Sequence, residues 1–465
     1  MTTGLTRRPT TRRNQRGIAL VLVVMVLLCL TGLLVGYLSV SALEPQISRN
    51  LADASRARYL AEAGIERGFN VLVSTTDASN SWSGLLSGAT TGRPWVAIAG
   101  LTNAAIAGAA NGGTFSVTIR NDNGAADTPL TGLSSSTQPA MDTSPTTDAN
   151  TTVILRSAGT FNGVTKTVEV VVRRVAVPPF AGAVNIAGRQ SDTALNSAAI
   201  DIDGRDYGCT AGGTGCDTAT NWTVTAEPVK YAVATPPGVQ TNTGTRAEAN
   251  VEQALDTPAK RDAVKGKHRA TGAYTTGPEA VAADGAVTPS AMDDFVSVVA
   301  GNPATTVLQA TRACPLVVTG SPSGSSNTPT VSDGCGVRTT VNLGSRQDPR
   351  LVFFRGELGL TVNHGIKGAG ILVVQDGDLR NHGTLEWDGL VIVTGQNTSM
   401  AFMRDSTTVI RGAAVAHESN AGETGGYDLY VHGEIGGLSI RSSKQNVDMV
   451  QSMRSLHSIT NWREI

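Results

Sequence analysis

The sequence predicts an α+β protein. A long N-terminal helix, membrane-spanning in its first half, packs on a small β-sheet and is followed by a β-rich domain, a right-handed parallel β-helix or solenoid. Three observations carry this. No formal charge occurs from Ile18 to Leu43, directly behind the arginines Arg7, Arg8, Arg12, Arg13 and Arg16. A period-2 strand and an Asn-Gly hairpin come next, between residues 113 and 175. Beyond residue 350, four apolar runs recur at intervals of 20, 19 and 22 residues. The composition agrees: 52 glycines and 4% aromatics in 465 residues describe short strands joined by tight turns. With 37 basic and 38 acidic side chains, the chain lacks the electrostatic footprint of a nucleic-acid binder.

The helix comes first. Its 26 uncharged residues from Ile18 to Leu43 would reach ~39 Å at ~1.5 Å per residue, more than the ~30 Å hydrocarbon layer. Arginines on the N-terminal side alone hold that end in the cytoplasm and send the rest outward. Three readings fit such a segment. Val40-Ser41-Ala42 resembles a secretory cleavage site, but the apolar core is longer than the usual 7 to 15 residues. A plain anchor is the second. The third takes in the residues beyond Leu43, because Ile47, Leu51, Ala54, Ala61, Ile65, Phe69 and Leu72 recur at helical steps. The membrane helix thus continues as an amphipathic one, with Pro45 as the expected kink.

QRGIALVLVVMVLL, followed by RARYLAEAGIERGF, resembles the N-terminal region of type IV pilins and pseudopilins, and within them the PilX-type minor pilins. The likeness covers residues 12–72. It implies a leader at residues 1–17, cut by a prepilin peptidase between Gly17 and Ile18 with N-methylation of the new terminus. It also implies one helix over residues 18–72 with its transmembrane half at 18–43, and a pilin-like globular domain at 73–175. The implied partners are other pilins and minor pilins along the helix, the peptidase and the inner-membrane assembly platform. The implied location is the inner membrane, single-pass with the head outside the cytoplasm, and later the surface fibre. Major pilins carry a glutamate five residues after the cut, where this chain has Leu22. By resemblance to the K-type pseudopilin of type II secretion, that implies a subunit at the fibre tip or in an initiating complex.

In the first outer segment, Phe115, Val117 and Ile119 alternate with Ser116, Thr118 and Arg120, as a half-buried strand requires. Two more strands flank the turn Asn162-Gly163. The polar stretch Leu133 to Thr151 reads as a mobile loop.

The apolar runs starting at Leu351, Ile371, Leu390 and Gly412 fit stacked coils buried on both faces. A Greek-key sandwich gives similar spacing and is the second reading. Asn363-His364-Gly365 returns as Asn381-His382-Gly383, which suggests a stacked Asn/His ladder. Residues 176–205 read as a first coil, 206–340 as an insertion with helices and loops, and 341–465 as the β-helix-like C-terminal domain. Within the insertion, Thr245 to Ala263 is helix-prone, and Thr288-Pro289 opens a helix through MDDFVSVVAG with an N-cap and Pro at the first position.

Cys29 sits in the apolar run; Cys209 with Cys216 and Cys314 with Cys335 are disulfide candidates in an oxidising compartment, with free thiols as the alternative. Asp201, Asp203 and Asp206 have a spacing suggestive of calcium, weakened by Arg205 and by the missing closing glutamate; otherwise they end a strand in an Asp-Gly turn. Asn121-Asp122-Asn123-Gly124 with Asp127 is a second, weaker acidic loop. No metal site, cofactor or catalytic residue is expected: the six histidines show no ligand spacing, and GxSxG, HExxH and Walker patterns are absent. Glu357, Asp376, Asp378, Glu386 and Asp388 would be the carboxylates of a carbohydrate-active enzyme, a reading set below that of solvated turns. Trp387 and Tyr427 to Gly433 are candidate contacts for a surface ligand of an adhesive head. The expectation is therefore a minor pilin or pilus assembly protein without enzymatic activity. A single-span surface protein with a β-helical adhesin domain is the alternative.

Overall fold

The computed structural model describes residues 15–75, 81–106, 112–137, 139–211, 213–217, 219–269, 280–311, 313–333, 335–356, 359–420 and 426–465. Residues 1–14 of the leader and Glu357 lie outside them.

Helix α1 (Gln15–Ser74) is a single element of 60 residues, about 90 Å long at ~1.5 Å per residue, and it runs through Pro45. Its two halves have different environments. Ala57, Leu60, Ala61, Ile65, Phe69 and Leu72 are buried against a sheet, while the large apolar side chains described from Ile18 to Leu51 are exposed. The sheet is built from β1 (Thr114–Asn121), β2 (Thr152–Phe161) and β3 (Val164–Arg174), all antiparallel. Strand β1 alternates as its sequence requires, with Phe115, Val117 and Ile119 buried. Asn162 and Gly163 take φ of 48° and 81°, the paired positive values of a tight hairpin turn.

The remainder is β-rich and mostly parallel. One sheet contains β4 (Gly182–Ile186), β5 (Ile200–Asp203), β6 (Tyr231–Thr235), β7 (Arg350–Arg355), β8 (Gly365–Gln375), β9 (Thr384–Gly395), β10 (Thr407–Glu418) and β11 (Gly437–Ser442). Leu351 pairs with Ile371, Ile371 with Leu390, and Leu390 with Ala413. A second sheet, containing Leu316–Thr319, Leu360–Asn363, Leu379–Asn381, Met400–Phe402, Leu429–Val431 and Thr193–Leu195, shares the core between them. Successive residues of β7 to β10 point alternately into that core and outward under the helix Pro289–Gly301, whose Met292, Phe295, Val296 and Val299 cover Phe353, Ile371 and Leu390. Both faces are therefore dry, which is why these strands read as apolar runs. Thr288 caps that helix by accepting from the Ala291 amide, as its sequence predicts.

Gly370, Gly389 and Gly412 form a column across β8, β9 and β10, with φ of 115°, 129° and 144°. A Cβ at Gly389 would meet the Gly370 carbonyl at 2.2 Å, and one at Gly412 the Gly389 carbonyl at 2.0 Å. The column needs glycine both for its backbone angles and for the close approach of neighbouring strands.

Three expectations about domain order and one about a helix are corrected. Residues 176–205 do not begin the stack: Val184 pairs with Ala414, and Ile202 with Ile440, so β4 and β5 lie against the strands nearest the C-terminus. Residues 206–340 are no insertion, since β6 pairs with β4, Val264–Lys265 with β5, Val281–Ala283 with β6 and Thr306–Gln309 with β7. Nor do residues 341–465 form one separate domain, because β12 (His457–Glu464) returns to pair antiparallel with β3. The helix expected over Thr245 to Ala263 is two helices, Ala247–Ala254 and Pro258–Asp262; Pro258 lacks the amide that continuation would need. A periodic pattern marks strands that stack in chain order, and it misses strands that enter a sheet from elsewhere in the chain.

Candidate functional site: the apolar rod and its head

Sequence patterning puts apolar side chains all round the first half of α1, and the fold leaves them uncovered. From Ile18 to Leu51, twenty large apolar side chains are exposed, Leu22 among them at 59%. By length and composition the helix can cross a membrane. Hydroxyls in this stretch turn back on the helix: Thr31 donates to the Leu27 carbonyl at 2.7 Å and Ser39 to that of Val35 at 2.8 Å. Between Ile18 and Leu43 the rod thus presents almost no polar surface, and Glu44, Gln46, Ser48, Arg49 and Asn50 begin its polar part. Gly17 and Ile18 are exposed at its start, and nothing approaches the position of a Gly17 Cβ within 4 Å.

The rod is fixed to the head by both ends of the chain's β-structure. Arg454, just before β12, donates to Glu66 at 2.7 Å and to Asn70 at 2.6 Å on α1. At the hairpin tip, Asn162 reaches Asp53 at 3.3 Å. His457 is buried between the rings of Phe69 and Trp82, and that burial pushes its imidazole down to about 4.

The cysteines form two disulfides, Cys209–Cys216 and Cys314–Cys335, and Cys29 is free and exposed on the rod. The three aspartates of DIDGRD do not converge. Asp201 takes Arg441 at 2.7 Å, and Asp203 binds Arg205 and accepts from the Tyr207 hydroxyl at 2.8 Å. Asp206 accepts from Thr225 and from the Lys444 amide. Each carboxylate is neutralised by cations or donors of the protein, so this trio is a structural device at the strand end.

Other candidates separate as well. Trp387 is fully buried with its indole N–H on the Gly370 carbonyl at 3.1 Å, so it packs the core. Tyr427 is exposed and stacks on Tyr430, with centroids 5.9 Å apart. The Asn/His ladder is out of register: Asn381 pairs with Val362, and its amide donates to the Thr408 hydroxyl at 2.8 Å. Among the carboxylates, Asp378 pairs with Arg380 at 2.6 Å and Glu386 accepts from Ser325 at 2.8 Å. Asp388 is raised by burial despite Arg411 at 3.1 Å and Arg346 at 3.6 Å. A groove of about 220 Å³ runs past Glu386, Asp388, Lys367 and Arg411, but Lys367 is held by Asp217 at 2.8 Å and the charges cancel. Among the described residues no three His, Cys, Asp or Glu side chains are gathered as a metal cluster. Sequence reasoning grouped Asp122 with Asp127, but Asp127 is held by Arg120, and Asp122 is instead buried with Asp142 and Asp148, whose part in the group it missed because 20 or more residues separate them from Asp122.

Fold and surface together define an α+β protein with one membrane-length apolar helix anchored in a β-rich head. No protein-family model and no curated protein matches the chain. Among solved structures, the competence-associated pilin ComZ from Thermus thermophilus aligns over 89% of this chain and 97% of its own, at 12% identity. Its TM-score of 0.25 is too low to carry an argument.

Proposed function

We propose that the chain is a minor pilin or pilus assembly protein of a type IV pilus or pseudopilus. The observation that carries this reading is the division of α1, buried from Ala57 onward and bare before Leu51. At ~1.5–3 kcal/mol per buried apolar side chain, twenty such groups are worth on the order of tens of kcal/mol against exposure to water. The rod therefore needs lipid or a bundle of similar helices around it. Assembly is the exchange of one for the other, and catalysis by the chain itself has no part in it.

In this reading the peptidase cuts between Gly17 and Ile18, the new amine is methylated, and the head stays outside the inner membrane until the fibre takes the subunit up. Leu22 leaves the rod with no carboxylate for a preceding subunit's amine, which favours the tip or an initiating complex. The parallel ladders of β7 to β11 are turns of a right-handed β-helix, and the head they build is too large for a crowded fibre wall. It serves as a binding or adhesive surface at the end.

Mass spectrometry of the mature terminus tests this. A methylated Ile18 is the expected result; a start at Leu43 or an intact leader overturns it. Replacing Gly17 with a bulky residue is expected to abolish both processing and fibre incorporation.

A further inference from the structure

We propose that the loop spanning Leu133 to Thr151 holds a calcium ion between Asp122 and Asp142, with the side-chain oxygen of Asn121 as a third ligand. This site stands apart from the assembly reading and does not depend on it.

The sequence predicts this loop to be mobile, and its described residues, all but Gln138, are irregular but tied down. Its Met141 amide donates to the Ser134 carbonyl at 2.9 Å, and Asn121 at the end of β1 donates to the carbonyls of Ser144 at 2.8 Å and Thr147 at 2.7 Å. These contacts draw acids inward from three places in the chain. Asp122 is 0% exposed, Asp142 7% and Asp148 3%.

Their polar partners are too few for three charges. Asp148 accepts from the amides of Trp82 at 2.8 Å and Thr152 at 3.3 Å; burial pushes it up to about 6 against the pull of those amides and of the Arg174 charge. Asp142 accepts from the Ala149 amide at 3.1 Å and has the Asn121 amide beside it. Asp122 accepts from Asn150 on one oxygen, at 2.9 Å, and its other oxygen is buried with no hydrogen-bond partner. The Asn121 side-chain oxygen is likewise buried and without a donor. Asp122 and Asp142 also repel each other at this range. Burial and the charge of Asp142 push the Asp122 carboxyl up to about 6, with the donation from Asn150 and the nearby amides of Asp122 and Asp142 pulling the other way.

Unpartnered oxygens in a dry site call for a cation or for water, and two adjacent carboxylates select a divalent cation. Every available donor is a hard oxygen, which disfavours zinc and the soft metals. Calcium accepts six to eight oxygens in irregular geometry, including backbone carbonyls of the kind this loop supplies, whereas magnesium demands a near-ideal octahedron and keeps its water. Bound there, calcium would hold the loop closed on β1 and β2, next to the junction of α1 with the sheet at Trp82.

The test uses the full chain in detergent micelles. Thermal unfolding is followed in EDTA and in millimolar calcium chloride, with millimolar magnesium chloride as comparison. Calcium is expected to raise the midpoint on the order of 5 °C, and magnesium to leave it near the EDTA value. Asp122→Asn and Asp142→Asn are expected to lose the calcium response, while Asp122→Asn in EDTA unfolds at or above the wild-type midpoint because it removes an underpaired buried charge. Terbium emission excited through tryptophan is expected to rise in the wild type, to be competed away by calcium, and to be absent from both variants. The proposal fails if calcium leaves the wild-type midpoint unchanged, if both variants keep the response, or if Asp122→Asn is unfolded in EDTA.

Discussion

Gly159 on β2 marks a close approach of the sheet to the backbone of α1, and Gly159→Ala tests the packing from which the rod projects. An added Cβ would lie 2.2 Å from the Ala57 carbonyl oxygen, 2.4 Å from the Ala61 nitrogen and 2.9 Å from the Leu60 carbonyl carbon. All three are backbone atoms of the helix, so no rotamer change relieves the clash. The helix must lift by roughly 1 Å, and a gap of that size forfeits between a quarter and a half of each dispersion contact beneath it. Those contacts belong to Leu60, Ala61 and Ile65 on one side and to the sheet on the other. Overpacking ordinarily costs ~1–3 kcal/mol, and a clash with backbone belongs at the upper end, so about 3 kcal/mol is expected. The assay is urea unfolding of the full chain in micelles, followed by tryptophan fluorescence. Gly84→Ala is the control, because nothing lies within 4 Å of its added methyl, and it is expected to stay within ~0.5 kcal/mol of wild type. If Gly159→Ala unfolds together with that control, the close packing of helix on sheet is wrong.

Charge and covalent structure supply the other expected outcomes. In EDTA, Asp122 at about 6 lies above its unfolded value of 3.8, so its ionisation opposes folding above pH 6 and ceases to matter as pH falls through 3.8. Asp122→Asn is therefore expected to gain up to about 3 kcal/mol over wild type at pH 7.5 and nothing at pH 3.5, as read by urea midpoints; an equal gain at both values would contradict the assignment. His457 has the opposite sign: at about 4 it lies below its unfolded 6.5, so the stability from burying it neutral is lost as pH falls from 6.5 to 4. Its replacement by Phe should flatten that acid limb by up to about 3 kcal/mol. Of the disulfides, the Cys314–Cys335 bridge closes the longer loop, with a separation of 21 against 7. Paired Cys→Ser variants should therefore lose about 3.4 kcal/mol there and about 2.5 kcal/mol at Cys209–Cys216, measured by non-reducing urea titration; the reverse order would count against loop entropy as the main term.

Local chemistry was legible in the sequence wherever neighbours in the chain are neighbours in space. The charge-free run after Gly17 determines a helix whose side chains need lipid or other helices, because length and hydropathy act residue by residue. The Asn162-Gly163 turn, the alternation of β1 and the Thr288-Pro289 helix start come from backbone preference over a few residues. The apolar runs at Leu351, Ile371 and Leu390 indicate strands covered on both faces. The glycines at or before those runs, at 370, 389 and 412, are also visible in the sequence, but only the stacked register explains why a side chain cannot stand there.

Tertiary structure alone decided everything that depends on which distant segments meet. It sent β4 and β5 to the strands nearest the C-terminus and returned β12 to the first sheet. It buried Trp387, gave each aspartate of DIDGRD its own partner, and brought Asp122, Asp142 and Asp148 out of water together. A charge's energy depends on its distance from other charges and on how much water it keeps, and neither quantity is written in the order of the residues.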